Sequence, residues 1–220
     1  MPWTASLRLL EEIRGCTVCA DGLPHGPRPI VSFAPKAAVA VIGQAPGSRV
    51  HASGIPWDDP SGETLRSWMS IDRDTFYDPN KVALVPMGFC YPGKGKSGDL
   101  PPRPECAPLW HERIFEHLDV RLTLLIGQYA QARYLGDRRG KNLTQTVRDW
   151  RTYGVATLPL PHPSPRNRRW LIVTAACRNV RCLRSSIRES GAIRSAGGPE
   201  RTASTKPPSP VGSRGSNAIE

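Results

Sequence analysis

The stretch that most constrains the fold is Val39–Gly47, where a short apolar run leads into a turn rich in glycine and proline. Residues 39–42 have the pattern of a buried strand, and the turn begins at Gly43. In an α/β sheet, ligands bind at the loops that follow the carboxyl ends of parallel strands. Two glycines and a proline let the backbone approach a flat ligand closely. The same stretch also fits an ordinary strand-to-helix turn, and only motifs elsewhere in the chain can distinguish this from a ligand-binding loop.

Apolar runs with strand character alternate with helical patterns along the chain, which predicts an α/β fold with a parallel sheet covered on both faces. Ser61 is the predicted N-cap of the helix after Pro60. The segment from Cys90 to Glu105 is predicted to be a loop, and it contains a glycine-lysine run that fails the phosphate-loop template. We expect the loops 43–60, 86–105 and 161–169 to converge at one edge of the sheet. Strands are predicted at 39–42, 82–85, 122–127 and 155–160, and helices at 3–14, after 60, from 107, at 129–135 and at 143–151.

The chain has 220 residues and a formal net charge of +11, which indicates an acidic partner, with nucleic acid the common choice. A merely basic protein is the alternative on charge alone. No run of eighteen apolar residues and no secretion signal is present, so we expect a cytoplasmic, nucleoid-associated protein that does not enter membranes. Six cysteines in such a compartment indicate free thiols or metal ligands rather than disulfides.

The composition changes after Trp170. Residues 171–220 carry eight Lys and Arg against three Asp and Glu, and from Gly191 onward large apolar residues are almost absent. A segment of this kind cannot bury enough surface to offset its ordering entropy. The sequence therefore predicts one domain over 1–170 and a basic, disordered or aberrant tail over 171–220, with a shifted reading frame as one hypothesis for its origin.

Four cysteines form a pattern that suits a metal centre. Cys16 and Cys19 are two residues apart, and Cys90 and Cys106 flank a proline-rich stretch. Four thiolates suit either zinc or a [4Fe–4S] cluster, although the wide second spacing is unlike a compact zinc ribbon. Four unrelated thiols are the alternative. Cys177 and Cys182 are predicted to bind nothing.

A second polar loop follows the last predicted strand. His162 lies between two prolines that stiffen the backbone, and Ser164, Arg166 and Asn167 are donors suited to phosphates. Arg166 could also fill the gap left by a displaced base. Trp57 offers a flat face on which a base can stack.

Taken in order, these motifs resemble the uracil-DNA glycosylase superfamily, and most closely its iron–sulfur branch, families 4 and 5. The matching elements are Cys16-x-x-Cys19, Gly43-Gln-Ala-Pro-Gly47, Gly54-Ile-Pro-Trp57, the pair Cys90 and Cys106, and His162-Pro-Ser-Pro-Arg-Asn167. The resemblance covers residues 7–170. It implies a three-layer α/β/α fold with a central four-stranded parallel sheet, and a monofunctional hydrolase that excises uracil from DNA in base excision repair.

The resemblance also implies a role for each motif. The four cysteines would hold a [4Fe–4S] cluster, with zinc as the alternative. His162 and Gln44 would be catalytic, and Trp57 would stack on the extruded base. Single- or double-stranded DNA containing uracil would be the partner of a monomer. The base pocket would consist of Gly43, Gln44, Ala45, Pro46, Gly47 and Trp57, and the DNA contacts of Ser164, Arg166 and Asn167.

Three positions depart from the family pattern. Pro86 replaces an asparagine that often reads the uracil edge, and Ala45 stands where the strongest enzymes have an acidic water activator. The aromatic-rich last helix is also missing from the sequence after Leu171. These departures keep two alternatives open, namely a glycosylase for hypoxanthine or xanthine and a cysteine-metal nucleic-acid-binding protein with weak or no catalysis.

Overall fold

The computed structural model describes residues 2–167, 183–185 and 187. A four-stranded sheet with the order β2-β1-β5-β6 forms its centre, and every neighbouring pair of strands is parallel. The predicted three-layer α/β/α fold with a four-stranded parallel sheet is thereby confirmed. The strands are β1 (Val39–Ile42), β2 (Val82–Leu84), β3 (Lys94–Gly95), β4 (Gly98–Asp99), β5 (Leu122–Ile126) and β6 (Thr157–Leu160).

Seven α-helices surround the sheet within the described residues. None of them combines the length and the apolar character needed to cross a bilayer. Short 3-10 turns cover Ala20–Gly22, Gly136–Arg138, Trp150–Tyr153 and Pro165–Asn167. The helices are α1 (Pro2–Arg14), α2 (Ser48–Ser53), α3 (Pro60–Met69), α4 (Arg73–Tyr77), α5 (Cys106–Phe115), α6 (Gly127–Leu135) and α7 (Leu143–Arg148).

Side-chain alternation along the strands divides the core between the two faces of the sheet. Val39 and Val41 of β1 face one way, against Leu65 and Met69 of α3. Ala40 faces the other way, in a cluster that also contains residues of α1 and α5. Because the four strands of the central sheet are covered on both faces, they are almost entirely apolar, as is typical of parallel sheets.

The start of α3 differs from the prediction. Asp59, not Ser61, is the N-cap, because its side chain accepts a hydrogen bond from the Gly62 N–H at 2.8 Å. Pro60 occupies the first turn, where its fixed φ suits a helix and its missing N–H is no loss. The predicted cap, Ser61, lies two residues too late.

Three local elements were not predicted. The short helices α2 and α4 are absent from the sequence prediction, and the predicted loop between Cys90 and Glu105 contains the antiparallel pair β3–β4. Short elements of this kind have too few residues to show a periodicity.

Most of the predicted tail, 171–220, lies outside the described residues. Of its described residues, Leu183 and Ile187 are buried in the same cluster as Leu65. Arg184 donates hydrogen bonds to the carbonyl oxygens of Ser67 and Trp68. The predicted domain boundary at residue 170 stays a prediction.

Candidate active site

A pocket lies at the carboxyl edge of the sheet, where the loops after β1, β2 and β6 meet. The turn after β1 forms one wall, and His162 in the loop after β6 forms another. Its volume is about 40 Å³, which is room for about two or three water molecules. The lining residues are Ile30, Gly43, Gln44, Ala45, Pro46, Gly47, Val50, Pro56, Trp57, Asp59, Pro86 and His162.

Backbone hydrogen bonds hold two of these loops together. The Met87 N–H donates to the Gly43 carbonyl at 2.9 Å, and the Gly88 N–H donates to the Gln44 carbonyl at 3.0 Å. These bonds continue the β1–β2 pairing beyond the ends of the strands. The turn after β1 is therefore fixed relative to Pro86, and both present a rigid surface to the pocket.

His162 is half-buried, and its hydrogen bonds indicate its tautomer. The Ser164 N–H donates to Nδ1 at 3.2 Å, so the proton of the neutral ring resides on Nε2. Burial lowers the pKa of His162 below its usual value, and the nearby Asp59 carboxylate offsets part of this shift. The side chain is thus a neutral imidazole with an N–H available as a donor in the pocket.

Trp57 packs between the turn after β1 and His162. Its ring lies 5.9 Å from the imidazole, centroid to centroid, with an interplanar angle of 27°. A Cβ on Gly43 would come within 2.6 Å of the Trp57 ring, so only glycine permits this approach. Trp57 also has a φ of 58°, in the left-handed region that costs a non-glycine residue energy. Strain of this kind is common at functional sites.

Asp59 is a site residue that the sequence analysis missed. Among the described residues that line the pocket, it is the one acidic side chain. One of its carboxylate oxygens caps α3, and no described residue hydrogen-bonds to the other. The signal was present in the sequence as an Asp directly before a helix-starting proline, but that pattern predicts a cap rather than a catalytic group.

Pro86 lines the pocket, and its carbonyl accepts a hydrogen bond from the buried side chain of His111. Nε2 of His111 donates to this carbonyl at 3.0 Å, and Nδ1 accepts from the Tyr134 hydroxyl at 2.7 Å. His111 is 2% exposed and stacks on Phe89. Burial lowers the pKa of His111 to about 4, so the ring is neutral at physiological pH.

The loop after His162 is stabilised by its own polar groups. Asn167 donates from Nδ2 to the His162 carbonyl at 2.9 Å, and the Ser164 hydroxyl accepts from the Arg166 N–H at 3.3 Å. This loop forms one wall of a groove of about 540 Å³ that opens onto the pocket. The opposite wall comes from residues 97–100, and the turn after β1 forms the floor.

A comparison with known families bears on this arrangement. The family model of the Uracil DNA glycosylase superfamily matches residues 31–181, about two thirds of the chain. The chain belongs to this superfamily. Membership implies a DNA glycosylase, a hydrolase of N-glycosyl bonds that takes damaged bases from DNA during repair. The matched region includes the turn after β1, Trp57 and the His162 loop.

The four cysteines of this glycosylase meet in one part of the core. Cys19, Cys90 and Cys106 are buried in the cluster between the sheet, α1 and α5, and half-buried Cys16 packs against it. All four are free thiols. Residues from positions far apart in the sequence are thus brought to the side of the sheet that α1 and α5 cover.

The surroundings of the thiols are partly polar. Burial raises the pKa of Cys90 and of Cys106, and the neighbouring thiols raise both further. Backbone N–H groups of Arg28 and Phe89 donate toward Cys90 and Cys106 and oppose this rise. The Arg103 guanidinium lies beside Cys19, and its Nε is buried with no hydrogen-bond partner.

This donor set fits an anionic, thiolate-ligated group. The neighbouring thiols raise the pKa of Cys90 and Cys106, and backbone N–H groups of Arg28 and Phe89 donate toward these two. The Arg103 guanidinium beside them is ion-paired with Glu105 at 2.7 Å, which leaves its buried Nε as the one N–H here without a partner among the described residues. Thiolates bound to a metal or cluster would accept from such donors. Across the described residues, however, no set of three or more His, Cys, Asp or Glu side chains is arranged as a formed metal site.

Proposed function

We propose that the protein is a monofunctional uracil-DNA glycosylase that removes deaminated cytosine by hydrolysing its N-glycosidic bond in base excision repair. The observation that carries the proposal is the shared pocket of His162 and the turn after β1. The pocket requires the target base to leave the stack, at a cost of about a few kcal/mol that is smallest for a mismatched pair such as U·G.

The leaving base becomes an anion as the bond breaks. The neutral His162 ring donates from Nε2 toward the uracil O2, while backbone N–H groups in the turn from Gln44 to Gly47 stabilise the same charge. Fixed donors of this type contribute roughly 3–4 kcal/mol each when removed singly. A neutral imidazole suits this role because it needs no proton from solvent, and its lowered pKa keeps it neutral.

Water then attacks the cationic sugar. Ala45 has no group that activates water, and the free oxygen of Asp59 is the carboxylate that the pocket offers instead. A carboxylate there orients water, accepts its proton as the oxygen bonds to the sugar C1′, and stabilises positive charge on the sugar. Among the described lining residues there is no lysine, which supports hydrolysis without a Schiff base and hence without strand cleavage.

Base selection is assigned to Gln44. Pro86 has neither a side-chain amide nor a backbone N–H, whereas Gln44 carries a side-chain amide that no described residue engages. An amide can rotate to present a donor or an acceptor. This freedom suits uracil and also favours hypoxanthine or xanthine as a second candidate substrate.

The pocket must open for a base to enter. A ring sandwiched between Trp57 and His162 needs a centroid separation of about 7 Å, twice the contact distance of carbon atoms, and the observed separation is 5.9 Å. We infer that the Trp57 side chain turns aside and then stacks on the extruded base.

We propose that the chain belongs to the iron–sulfur branch of the superfamily, on the pattern of its four cysteines. Cys16, Cys19, Cys90 and Cys106 would hold a [4Fe–4S] cluster, which supplies structural cross-linking between α1, the segment before β3, and α5. Zinc, bound by the same four thiolates, is the alternative. Iron and sulfide analysis of the purified protein, with its visible absorbance, decides between them, since zinc without iron would refute the cluster.

DNA contacts beyond the pocket are assigned to Ser164, Arg166 and Asn167, with Arg166 filling the space left by the base. We propose a monomer that acts in the cytoplasm on nucleoid DNA. The competing hypothesis is a nucleic-acid-binding protein with no catalysis.

One assay separates these functions. Oligonucleotides containing uracil or hypoxanthine, single- or double-stranded, are incubated with the protein and then cleaved with alkali at abasic sites. We expect cleavage of the uracil strands, and an undamaged strand of the same sequence is the control. Cleavage of hypoxanthine strands alone would favour the second substrate, and binding without cleavage would favour the non-enzymatic alternative.

A further inference from the structure

The segment Pro92–Ser97, Pro-Gly-Lys-Gly-Lys-Ser, fails the phosphate-loop template, yet it folds into a defined element. β3 and β4 pair antiparallel, with Lys94 opposite Asp99 and Gly95 opposite Gly98. We call residues 94–99 the lysine hairpin. Lys94, Lys96 and Ser97 are all exposed on it.

The lysine hairpin faces the His162 loop across the groove. Ser97, Gly98 and Asp99 line one side, and Ser164, Arg166 and Asn167 line the other. Nη1 of Arg166 lies 3.2 Å from the point that a Cβ on Gly98 would occupy. The two walls therefore approach each other directly above the floor that leads to the pocket.

The hairpin is anchored to the pocket. Tyr91 is buried, and its hydroxyl donates to Asp99 Oδ1 at 3.5 Å. The other carboxylate oxygen of Asp99 lies 3.3 Å from the Cβ position of Gly47. At the base of the hairpin, the Leu100 N–H donates to the Gly93 carbonyl at 2.9 Å. The lysines thus project from an element of fixed position relative to the catalytic turn.

The ammonium groups of both lysines are without an ion-pair partner among the described residues. Neither Lys94 nor Lys96 forms an ion pair with any residue that the structure describes. Lysine ammonium groups are compact donors that bind phosphate as point charges. Phosphate contacts of this kind position DNA without reading its sequence.

We propose that the lysine hairpin is a second DNA-binding wall, in which Lys94 and Lys96 bind backbone phosphates on the side of the extruded nucleotide opposite the His162 loop. This inference rests on the proposed function for the identity of the ligand as DNA. The hairpin adds a DNA-binding surface to the one formed by Ser164, Arg166 and Asn167. The DNA backbone is then bound on both sides of the extruded nucleotide while the base is in the pocket.

The test is the salt dependence of DNA binding by the variant K94A/K96A. Each phosphate neutralised in duplex DNA contributes about 0.9 to the slope of log affinity against log salt, so losing two contacts reduces the slope by about 1.8. The probe is a short duplex with one abasic-site analogue, measured between about 50 and 200 mM salt. A slope equal to that of the unmodified protein overturns the proposal.

K36A is the matched control. Lys36 is also exposed, but it precedes β1 and so lies at the amino edge of the parallel sheet, away from the groove. We expect its slope to equal that of the unmodified protein. A reduction of about 0.9 in K36A, the same per charge removed as in K94A/K96A, would indicate a general charge effect and refute a specific wall. K94R/K96R should restore the slope, and its failure to do so with unchanged thermal melting would also contradict phosphate contact.

Excision of uracil by the unmodified protein is measured separately. If the unmodified protein excises no uracil but the salt-dependence slope is still smaller for K94A/K96A, the proposed function is refuted and the second wall is retained. Normal excision with an unchanged slope refutes the second wall alone.

Discussion

Two histidine regions of the molecule contrast sharply, although burial lowers the pKa of both rings. His111 lies on α5 and faces α6 and the loop after β2. Both of its nitrogens form hydrogen bonds, one with the Tyr134 hydroxyl and one with the Pro86 carbonyl. His162 engages only Nδ1 among the described residues and lines the pocket. The difference is one unused N–H.

The contrast teaches that a perturbed pKa does not identify a catalytic histidine. A buried ring with both nitrogens satisfied stabilises the fold, because removing it leaves a buried carbonyl and a hydroxyl without partners. A ring with a free donor in a pocket has capacity for a substrate. We therefore expect changes near His162 to reduce excision, and changes near His111 to reduce stability.

The largest effect is expected for H162A. Loss of the Nε2 donor should reduce the rate of excision about 100-fold or more, with DNA binding and thermal stability nearly unchanged. Single-turnover kinetics on a U·G duplex measures the rate. H117A is the control, since His117 lies outside the pocket, after α5. Near-normal excision by H162A would remove His162 from the chemistry.

D59N tests the second group beside His162. Asparagine caps a helix about as well as aspartate, so α3 should remain intact while the charge is lost. We expect excision to fall about 100-fold if Asp59 orients water. Asp72 caps α4 through the Thr75 N–H in the same way, so D72N is a matched control with full activity expected. Equal rates for D59N and D72N would rule out the water-activating role.

The third prediction concerns acid stability and His111. Its pKa is about 4 in the folded protein, against an unfolded value near 6.5, so the unfolded state binds the proton first. Stability from this ring is complete above about pH 6.5 and falls as the pH decreases toward 4. Between about pH 7.5 and 5 the loss is about 2 kcal/mol.

Urea unfolding of the protein and of H111Q at both pH values measures this loss. The acid-induced loss should be about 2 kcal/mol smaller in H111Q, whatever its stability at neutral pH. An NMR titration of His111 in the unmodified protein checks the same point, and a pKa near 6.5 would contradict it.

The smallest effect is expected for Y134F. Removing this hydroxyl leaves Nδ1 of His111 as a buried acceptor without a partner, which costs about 1–2 kcal/mol. Excision should be unchanged. Tyr129 lies on the same helix and its hydroxyl has no hydrogen bond within the described structure, so Y129F should be neutral in denaturant unfolding. A drop in excision without a drop in stability would reverse the distinction between the two regions.

The fold was largely predictable because its signals are local and strong. The strand Val39–Ile42 was predicted with its exact bounds, since apolar runs bounded by glycine and proline are typical of buried parallel strands. The hairpin at Lys94–Asp99 was missed because two-residue strands have no periodicity. Asp59 was missed because the helix pattern alone does not distinguish a cap from a pocket residue.

By itself the sequence determined the α/β class, the parallel sheet and the motifs of a glycosylase, because these depend on residue type and spacing along the chain. Only the tertiary structure decided which polar groups share a cavity, namely His162 with Asp59 and Gln44, and which histidine retains an unused donor. Hydrogen bonding between residues distant in the chain, such as that of His111 with Pro86, depends on packing, and packing has no signature in the order of the residues.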